Sequence, residues 1–273
     1  MAARTAFVFG GGGVLGATQI GMLRALLARE VVPDLIVGTS VGALNGAMVA
    51  TDPSVAMVDR LGTLWTSLSR SGVFSDSVVT QVARLAAQRT HLHSSLPLRR
   101  LLEQHLSIER IEDLPVRFEC VAASIENSVA RWFSEGPVVD AVVASCSVPG
   151  LFPPARVGDE HFYDGGLVHS IPVGRAVQLG AERVYVLHVG RIERPLTPPR
   201  WPWEVGLVAF EIARRNRFVE EMGSLSPQVQ VHVLPSGEPE IRSLNVRYRD
   251  VRRVGARIER AYQATAQYLD GAE

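Results

Sequence analysis

Residues 5–51 have the sequence TAFVFGGGGVLGATQIGMLRALLAREVVPDLIVGTSVGALNGAMVAT, in which two short apolar runs are each followed by glycines and a longer segment. The runs at Thr5–Phe9 and Asp34–Val37 have the length and apolar character of buried strands. The segment after the first run has helical spacing and places four large side chains on one face: Ile20, Leu23, Leu26 and Leu27. The segment after the second run is predicted to form a helix of small residues, Val41–Thr51. Strands separated by helices predict a mostly parallel sheet covered on both faces.

The same alternation continues along the rest of the chain. Strands are predicted over 116–123, 130–133, 183–189 and 229–234. Helices are predicted over 54–68, 98–106, 137–145 and 172–179, after residue 202, and from about 251. Between them lie a surface excursion of mixed structure at 70–95 and a Pro-rich loop at 195–202. We therefore predict one domain over 5–273 with an α/β fold of three layers, α/β/α, around a mostly parallel central sheet.

The composition is that of an ordinary globular protein, with 47% hydrophobic and 21% charged residues. The 28 basic and 28 acidic residues cancel, so no long-range field favours nucleic acid, and we expect no nucleic-acid partner. Cys120 and Cys146 lie in apolar runs, which favours buried thiols over a disulfide. No signal peptide is recognisable, and no run reaches the ~18 apolar residues of a spanning helix. We therefore expect a cytoplasmic protein.

The first chemical motif is Gly38-Thr39-Ser40-Val41-Gly42, a G-x-S-x-G between a predicted strand and a predicted helix. A serine on such a sharp turn projects its hydroxyl above the sheet edge, and flanking glycines avoid Cβ clashes. The helix N-terminus beneath it favours developing negative charge. Because the pattern is common by chance, Ser40 is either a nucleophile or the N-cap of a helix after a glycine-rich turn. The strand-turn-helix context favours the nucleophile.

The second motif is the glycine-rich segment after the first strand, Gly10-Gly11-Gly12-Gly13-Val14-Leu15-Gly16. Consecutive glycines let backbone N–H groups face a ligand, and the following helix dipole adds positive potential. The segment fits both a dinucleotide fingerprint and an oxyanion hole for acyl transfer. A dinucleotide site needs an acidic residue at the end of the second strand. That position holds Ser40 and its neighbours, and Asp34 stands at the opposite end, so the oxyanion hole is favoured.

The third motif is Asp164-Gly165-Gly166, which follows the short apolar-aromatic segment His161-Phe162-Tyr163. Alone, D-G-G indicates only a turn. A serine nucleophile needs a base, however, and an aspartate followed by two glycines can sit tightly against another loop. An exposed aspartate is a feeble base with a pKa near ~3.9, whereas burial in an apolar pocket raises its pKa and improves the match.

Together these motifs resemble the patatin-like phospholipase family. They occur in the family's order: the glycine-rich loop at 11–16, G-x-S-x-G at 38–42 and D-G-G at 164–166. The segment ASCSVPGLFPP at 144–154 is also similar to the A-S-x-x-x-P-x-x-F-P-P that precedes the family's aspartate. The resemblance covers roughly residues 5–190. It implies a patatin-like fold and hydrolysis of a lipid or acyl-ester substrate.

The resemblance also implies the roles of individual residues. Ser40 would be deprotonated directly by Asp164 in a dyad without histidine, and the N–H groups of Gly12 and Gly13 would hold the oxyanion. The chain departs from the family at Leu15, where Arg or Lys is usual. A cation there could pin the glycine loop or attract a phosphate head group, and Leu does neither, so its presence favours a neutral ester or a single-chain lipid.

Two alternatives to an active Ser–Asp hydrolase arise from the sequence. One is an α/β-hydrolase triad using His169, His188 or His232, but that fold places its nucleophile after several strands, whereas Ser40 follows the second. The other is a lipid-binding protein of the same fold without turnover, for which Leu15 is the only hint. Because no H-E-x-x-H, C-x-x-C pair or carboxylate cluster occurs, we predict no metal and no cofactor.

Aromatic and apolar side chains follow the Pro-rich loop, at Trp201, Trp203, Leu207, Phe210 and Phe218. Their helical spacing favours packing onto the sheet. The alternative is an element that grips an acyl chain or makes a peripheral contact with a membrane.

Overall fold

The structure is a computed structural model and describes residues 4–68, 91, 93–189, 195–200, 202–237 and 254–271. The strands in this part of the chain are β1 (Thr5–Phe9), β2 (Leu35–Thr39), β3 (Arg117–Ser124), β4 (Ala130–Phe133), β5 (Ala155–Val157), β6 (Glu160–Asp164), β7 (Arg183–Leu187) and β8 (Gln230–Val233). The α-helices are α1 (Ala17–Leu27), α2 (Val41–Thr51), α3 (Val55–Leu68), α4 (Leu96–His105), α5 (Val138–Ser145), α6 (Val173–Gln178), α7 (Pro202–Gly223) and α8 (Val254–Asp270).

The strands form one sheet in the hydrogen-bonded order β5-β6-β3-β2-β1-β7-β8, with β4 also paired to β3. Strands β3, β2, β1, β7 and β8 run parallel to one another. At one side of the sheet, β4 and β6 pair antiparallel with β3, and β5 pairs antiparallel with β6. The three-layer α/β fold with a mostly parallel central sheet is therefore confirmed. The hairpin of β5 and β6 is not among the strands predicted from the sequence.

Helices cover both faces of the sheet because successive side chains of a strand point to opposite sides. In β1, Phe7 and Phe9 enter a core shared with α1, α2, α3, α4, α5 and α8, whereas Ala6 and Val8 enter a second core formed with α6 and α7. Helix α1 is buried on every side except at Arg24. The sequence pattern predicts one apolar face, but helix α8 covers another side of α1, at Gly21.

The register of β3 brings two strand ends together. β2 pairs with residues 117–121 of β3 and β6 with residues 122–124, while β4 covers 120–123. A residue in a strand can pair with one neighbouring strand on each of its two sides. The residues of β3 that pair with β4 include some that also pair with β2 and some that also pair with β6, so β4 occupies one side of β3 and the other two strands lie on the opposite side. β2 and β6 therefore share the opposite edge of β3, end to end. Ser40, directly after β2, and Asp164, the last residue of β6, consequently meet at that edge.

Candidate active site

Ser40 lies on a strained turn between β2 and α2, with φ 55° and ψ −127°. Such a backbone is rare for a residue with a side chain and persists only where its surroundings enforce it. A Cβ at Gly38 would lie 2.7 Å from Ala43 Cα, and one at Gly42 would lie 2.2 Å from Phe9 O. Both glycines are thus required by close packing. Although Ser40 occupies the N-cap position of α2, its side chain makes no capping hydrogen bond, so the N-cap alternative fails.

Ser145, at the end of α5, holds this turn in place. Its hydroxyl accepts a hydrogen bond from Ser40 N at 2.9 Å and donates one to Val121 O on β3 at 2.6 Å. Both bonds are buried, where hydrogen bonds resist exchange with water. The strained amide of Ser40 is therefore tied to the sheet through one side chain.

Hydrogen bonds hold both the backbone and the side chain of Asp164, which is only 4% exposed. Its amide donates to Ser147 O at 2.9 Å, and its Oδ1 accepts from Gly166 N at 2.7 Å. A Cβ at Gly165 would lie 2.1 Å from Val121 O, so the turn after Asp164 can pack against β3 only with glycine there. Carboxylate oxygen Oδ2 is buried and has no hydrogen-bond partner in the described part of the chain. It is thus an available proton acceptor.

Burial raises the pKa of Asp164 to about 6. The cause is loss of hydration, which disfavours the charged carboxylate. The adjacent Ser40 hydroxyl and the Gly166 amide favour the charged form and lower the pKa part of the way back. The Ser40 hydroxyl is thus near enough to act on the carboxylate, although no hydrogen bond of standard geometry joins the two side chains within the described residues.

The glycine-rich loop presents two amides. Gly11 N donates to Ser170 O at 2.9 Å. The amides of Gly12 and Gly13, in contrast, donate to no other residue in the described part of the chain. They lie at the start of the 3-10 helix Gly13–Gly16 that leads into α1, where the helix end adds positive potential. The geometry suits the binding of an anion.

Cys146 lies beside the same pair. Burial raises the pKa of its thiol well above the ordinary value, the negative charge of Asp164 raises it further, and the Ser40 hydroxyl opposes the rise. The thiol is therefore protonated at neutral pH. Cys120 is likewise a buried free thiol, so both cysteines are buried as their apolar runs predict.

The histidines of the rival triad have other environments. His169 Nδ1 pairs with Glu221 Oε1 at 2.8 Å, and His232 stacks on a tyrosine of β7. Burial lowers the pKa of His188 to about 4. None of the three hydrogen-bonds Ser40 in the part of the chain that the structure describes. The geometry thus places a carboxylate, not an imidazole, beside the serine.

The remaining sequence predictions have mixed outcomes. Phe218 is buried against the sheet, as packing predicts, whereas Phe210 is 36% exposed. Trp201 and most of the 70–95 excursion lie outside the described residues, as do the side chains of Trp203 and Leu207. Among the described residues, no three His, Cys, Asp or Glu side chains gather into a potential metal site. In the same ranges no helix is both long and apolar enough to span a membrane.

Three buried polar residues around the site were not predicted to have a role there: Ser145, Gln19 and Asn45. The signal that could have found them is a polar residue inside an otherwise apolar helix, as in ATQIG and GALNG. Such a residue needs a hydrogen-bond partner when it is buried.

The fold and site place the chain among three-layer α/β proteins with a serine on a strained strand-to-helix turn. Over residues 7–177 it matches the patatin-like phospholipase family. It is 32% identical over 188 residues to patatin-like phospholipase domain-containing protein ZK370.4 of Caenorhabditis elegans, covering 68% of this chain and 14% of that protein. It is 29% identical over 198 residues to lysophospholipase nte1 of Aspergillus terreus, covering 68% and 12%.

The chain therefore belongs to the patatin-like phospholipase family, and it spans a small part of the length of these curated relatives. Among solved structures, VipD from Legionella pneumophila is similar over 99% of this chain and 67% of that chain, with 14% identity and a TM-score of 0.47.

Proposed function

We propose that the protein is a lipid acyl hydrolase that works through an acyl-enzyme, with Ser40 as nucleophile and Asp164 as its base. The observation that carries the proposal is the meeting of a strained serine with a buried carboxylate whose Oδ2 lacks a partner in the described structure. A pKa of about 6 leaves this carboxylate ionised at neutral pH, yet more basic than an exposed aspartate. Family membership supports the same conclusion.

The reaction follows from these positions. Asp164 Oδ2 takes the proton of the Ser40 hydroxyl as Oγ bonds to the ester carbonyl carbon. The carbonyl oxygen becomes an oxyanion, which the amides of Gly12 and Gly13 stabilise. When the tetrahedral intermediate collapses, the ester C–O bond breaks and Asp164 returns the proton to the departing alcohol. Water then attacks the acyl-enzyme, gives its proton to Asp164, and the carboxylic acid leaves as Ser40 recovers its proton.

The surroundings suit an apolar acyl group. Leu167, next to the D-G-G turn, is 46% exposed, and the Phe210 ring packs against Gly166 beside Asp164. These side chains offer an apolar approach to the dyad and a surface for peripheral contact with lipid. The relative named as a lysophospholipase makes single-chain phospholipids and neutral esters the first substrates to examine. One sheet with a core on each face supports a single domain over 5–273, and a cytoplasmic location remains a prediction.

Labelling with an alkyl fluorophosphonate and hydrolysis of p-nitrophenyl esters test the proposal. The wild type should label and turn over, because only an activated serine reacts readily. Ser40→Ala and Asp164→Asn should each lower kcat by roughly 10³-fold or more, since residues that act as a unit fail together. His169→Gln is the matched control, because it removes a neighbouring imidazole that contacts Glu221 instead of Ser40.

Two outcomes would contradict the dyad. Loss of activity in His169→Gln as complete as in Ser40→Ala would indicate a histidine base. A folded wild type that neither labels nor hydrolyses any ester, but binds lipid vesicles, would indicate the lipid-binding alternative.

A further inference from the structure

Three polar side chains lie inside the core that joins α1, α2 and α3. Gln19, Asn45 and Trp65 come from one helix each, and their exposures are 0%, 0% and 2%. Polar groups in such a place are costly unless every donor and acceptor is paired. The hydrogen-bond partners of these three side chains therefore show which parts of the structure the network holds in place.

The side chains form one chain of hydrogen bonds. Trp65 Nε1 donates to Asn45 Oδ1 at 3.0 Å, and Asn45 Nδ2 donates to Gln19 Oε1 at 2.8 Å. Both side-chain amide groups also reach backbone carbonyls, so that both N–H bonds of Asn45 Nδ2 and of Gln19 Nε2 are used. A fully satisfied buried network of this kind fixes a single geometry.

The carbonyls that the network binds are the two ends of the glycine-rich loop. Gln19 Nε2 donates to Gly10 O at 2.7 Å, and to Leu187 O on β7 at 2.9 Å. Asn45 Nδ2 donates to Gly16 O at 3.1 Å. The Trp65 ring also packs on Gly16, since a Cβ there would lie 2.8 Å from Trp65 Cζ2. One network therefore holds the first and last residues of the loop.

Such anchoring matters because the glycines of the loop have no side chains that could fix its shape, and the backbone hydrogen bonds of Gly10 and Gly11 hold only its first residues. Consecutive glycines have the largest conformational freedom of any residues and no side chains to pack. An oxyanion hole works only if its donors stand within about 2.7–3.1 Å of the oxyanion. Asn45 lies on α2, which begins directly after Ser40. The network thus links the loop to the helix that carries the nucleophile.

We propose that Gln19, Asn45 and Trp65 are positioning residues that set the Gly12 and Gly13 amides at the correct distance from Ser40. The inference rests on the proposed function, because it gives the network a role in the same reaction. If the network only satisfies its own polar atoms, its removal should change the free energy of unfolding and nothing else. If the network positions the amides, its removal should also raise the energy of the transition state in protein that is still folded.

Gln19→Met and Trp65→Phe test the difference. The first removes hydrogen bonds with little change in shape, and the second removes one hydrogen bond together with the part of the ring that packs on Gly16. Val49→Ala, a cavity-forming change one turn after Asn45 in α2 that removes none of the network's hydrogen bonds, is the matched control. Active sites are counted by fluorophosphonate titration, and kcat and KM are then measured per active site with a p-nitrophenyl ester. The Ki of an alkyl trifluoromethyl ketone is measured beside them, because its adduct with Ser40 places an oxyanion in the same hole.

Gln19→Met should lower kcat per active site by roughly 10- to 100-fold, as small misplacements of catalytic groups do, with KM little changed. The Ki should rise in parallel, and Trp65→Phe should show a smaller change in the same direction. Val49→Ala should lower the melting temperature but leave kcat and Ki per active site unaltered. If Gln19→Met does not fold, Trp65→Phe decides the question.

The proposal fails if the network variants match Val49→Ala in kcat and Ki per active site while differing only in stability. Failure of the proposed function looks different, because the wild type itself would then neither label nor turn over.

Discussion

The turn after β1 and the turn after β2 both pass from a strand into a helix through glycines, but a side chain would meet different surroundings in each. At Gly42 a Cβ would lie 2.2 Å from the backbone of β1, whereas at Gly13 nothing lies within 4 Å. Gly13 has φ 56°, which disfavours a side chain for conformational reasons only. Glycine after β2 thus allows close packing, and glycine at position 13 leaves an amide open to a ligand.

Replacing Gly42 and Gly13 by alanine should distinguish close packing from an open amide, and we expect the largest effects from these two variants. Gly42→Ala should destabilise the protein by about 3 kcal/mol or more, or prevent folding, because backbone atoms cannot move aside. Gly13→Ala should cost only about 1–2 kcal/mol of stability while lowering kcat by roughly 10²-fold through a displaced oxyanion donor. Thermal unfolding and kcat per active site measure both effects. Near-normal kcat in folded Gly13→Ala would remove the loop from the mechanism.

The two turns also differ in how they respond to pH. The amides of the glycine-rich loop do not titrate, whereas Asp164 beside the β2 turn has a pKa of about 6. In free enzyme the base must be ionised, so kcat/KM should fall about tenfold per pH unit below this value. Rates from pH 4.5 to 8 with a neutral ester measure the profile. A flat profile through pH 6 would contradict the assignment of Asp164 as the base.

Asp164→Asn tests what the buried charge does to stability. Unfolding returns the carboxyl from a pKa of about 6 to its ordinary value of 3.8, so the unfolded state binds fewer protons between these values. The contribution of Asp164 to the free energy of unfolding therefore falls as pH rises from about 4 to 6. Asp164→Asn should accordingly be more stable than wild type at pH 7.5, by up to about 3 kcal/mol. Urea denaturation should show this gain shrinking toward zero near pH 4, and a gain independent of pH would exclude the titration of Asp164 as its cause.

Much of the fold could be predicted from sequence because the parallel strands and their helices have strong periodic patterns. The hairpin of β5 and β6 was missed because its strands are short and half-exposed. Ser40, Asp164 and the glycines could be named as candidates because their motifs, in this order, resemble those of the patatin-like phospholipase family. The polar residues Gln19 and Asn45 stand out within apolar helices, but the partners of Gln19 and Ser145 could not be predicted, since they are backbone carbonyls that are distant in sequence, such as Leu187 O and Val121 O.

The smallest effect is expected from substitution of Leu15, which lies in the glycine-rich loop. It lies within the first turn after the open amides and is partly exposed, so a guanidinium at this position can reach water. If a cation here attracts a head group, Leu15→Arg should raise the kcat/KM ratio of a lysophospholipid to a monoacylglycerol of equal chain length. An exposed charge pair is worth at most about 1 kcal/mol, which limits the change to roughly fivefold.

Salt distinguishes attraction from altered packing. An electrostatic gain should shrink as ionic strength rises, because the Debye length falls from about 10 Å at 0.1 M to about 3 Å at 1 M. If Leu15 instead serves mainly to pack α1 against its neighbours, the arginine would bring charge into partly buried surroundings and lower the melting temperature. A lower melting temperature with an unchanged substrate ratio at both salt concentrations would assign Leu15 to the core. A salt-sensitive ratio with an unchanged melting temperature would instead place a phosphate-bearing head group beside the loop, next to the amides that hold the oxyanion.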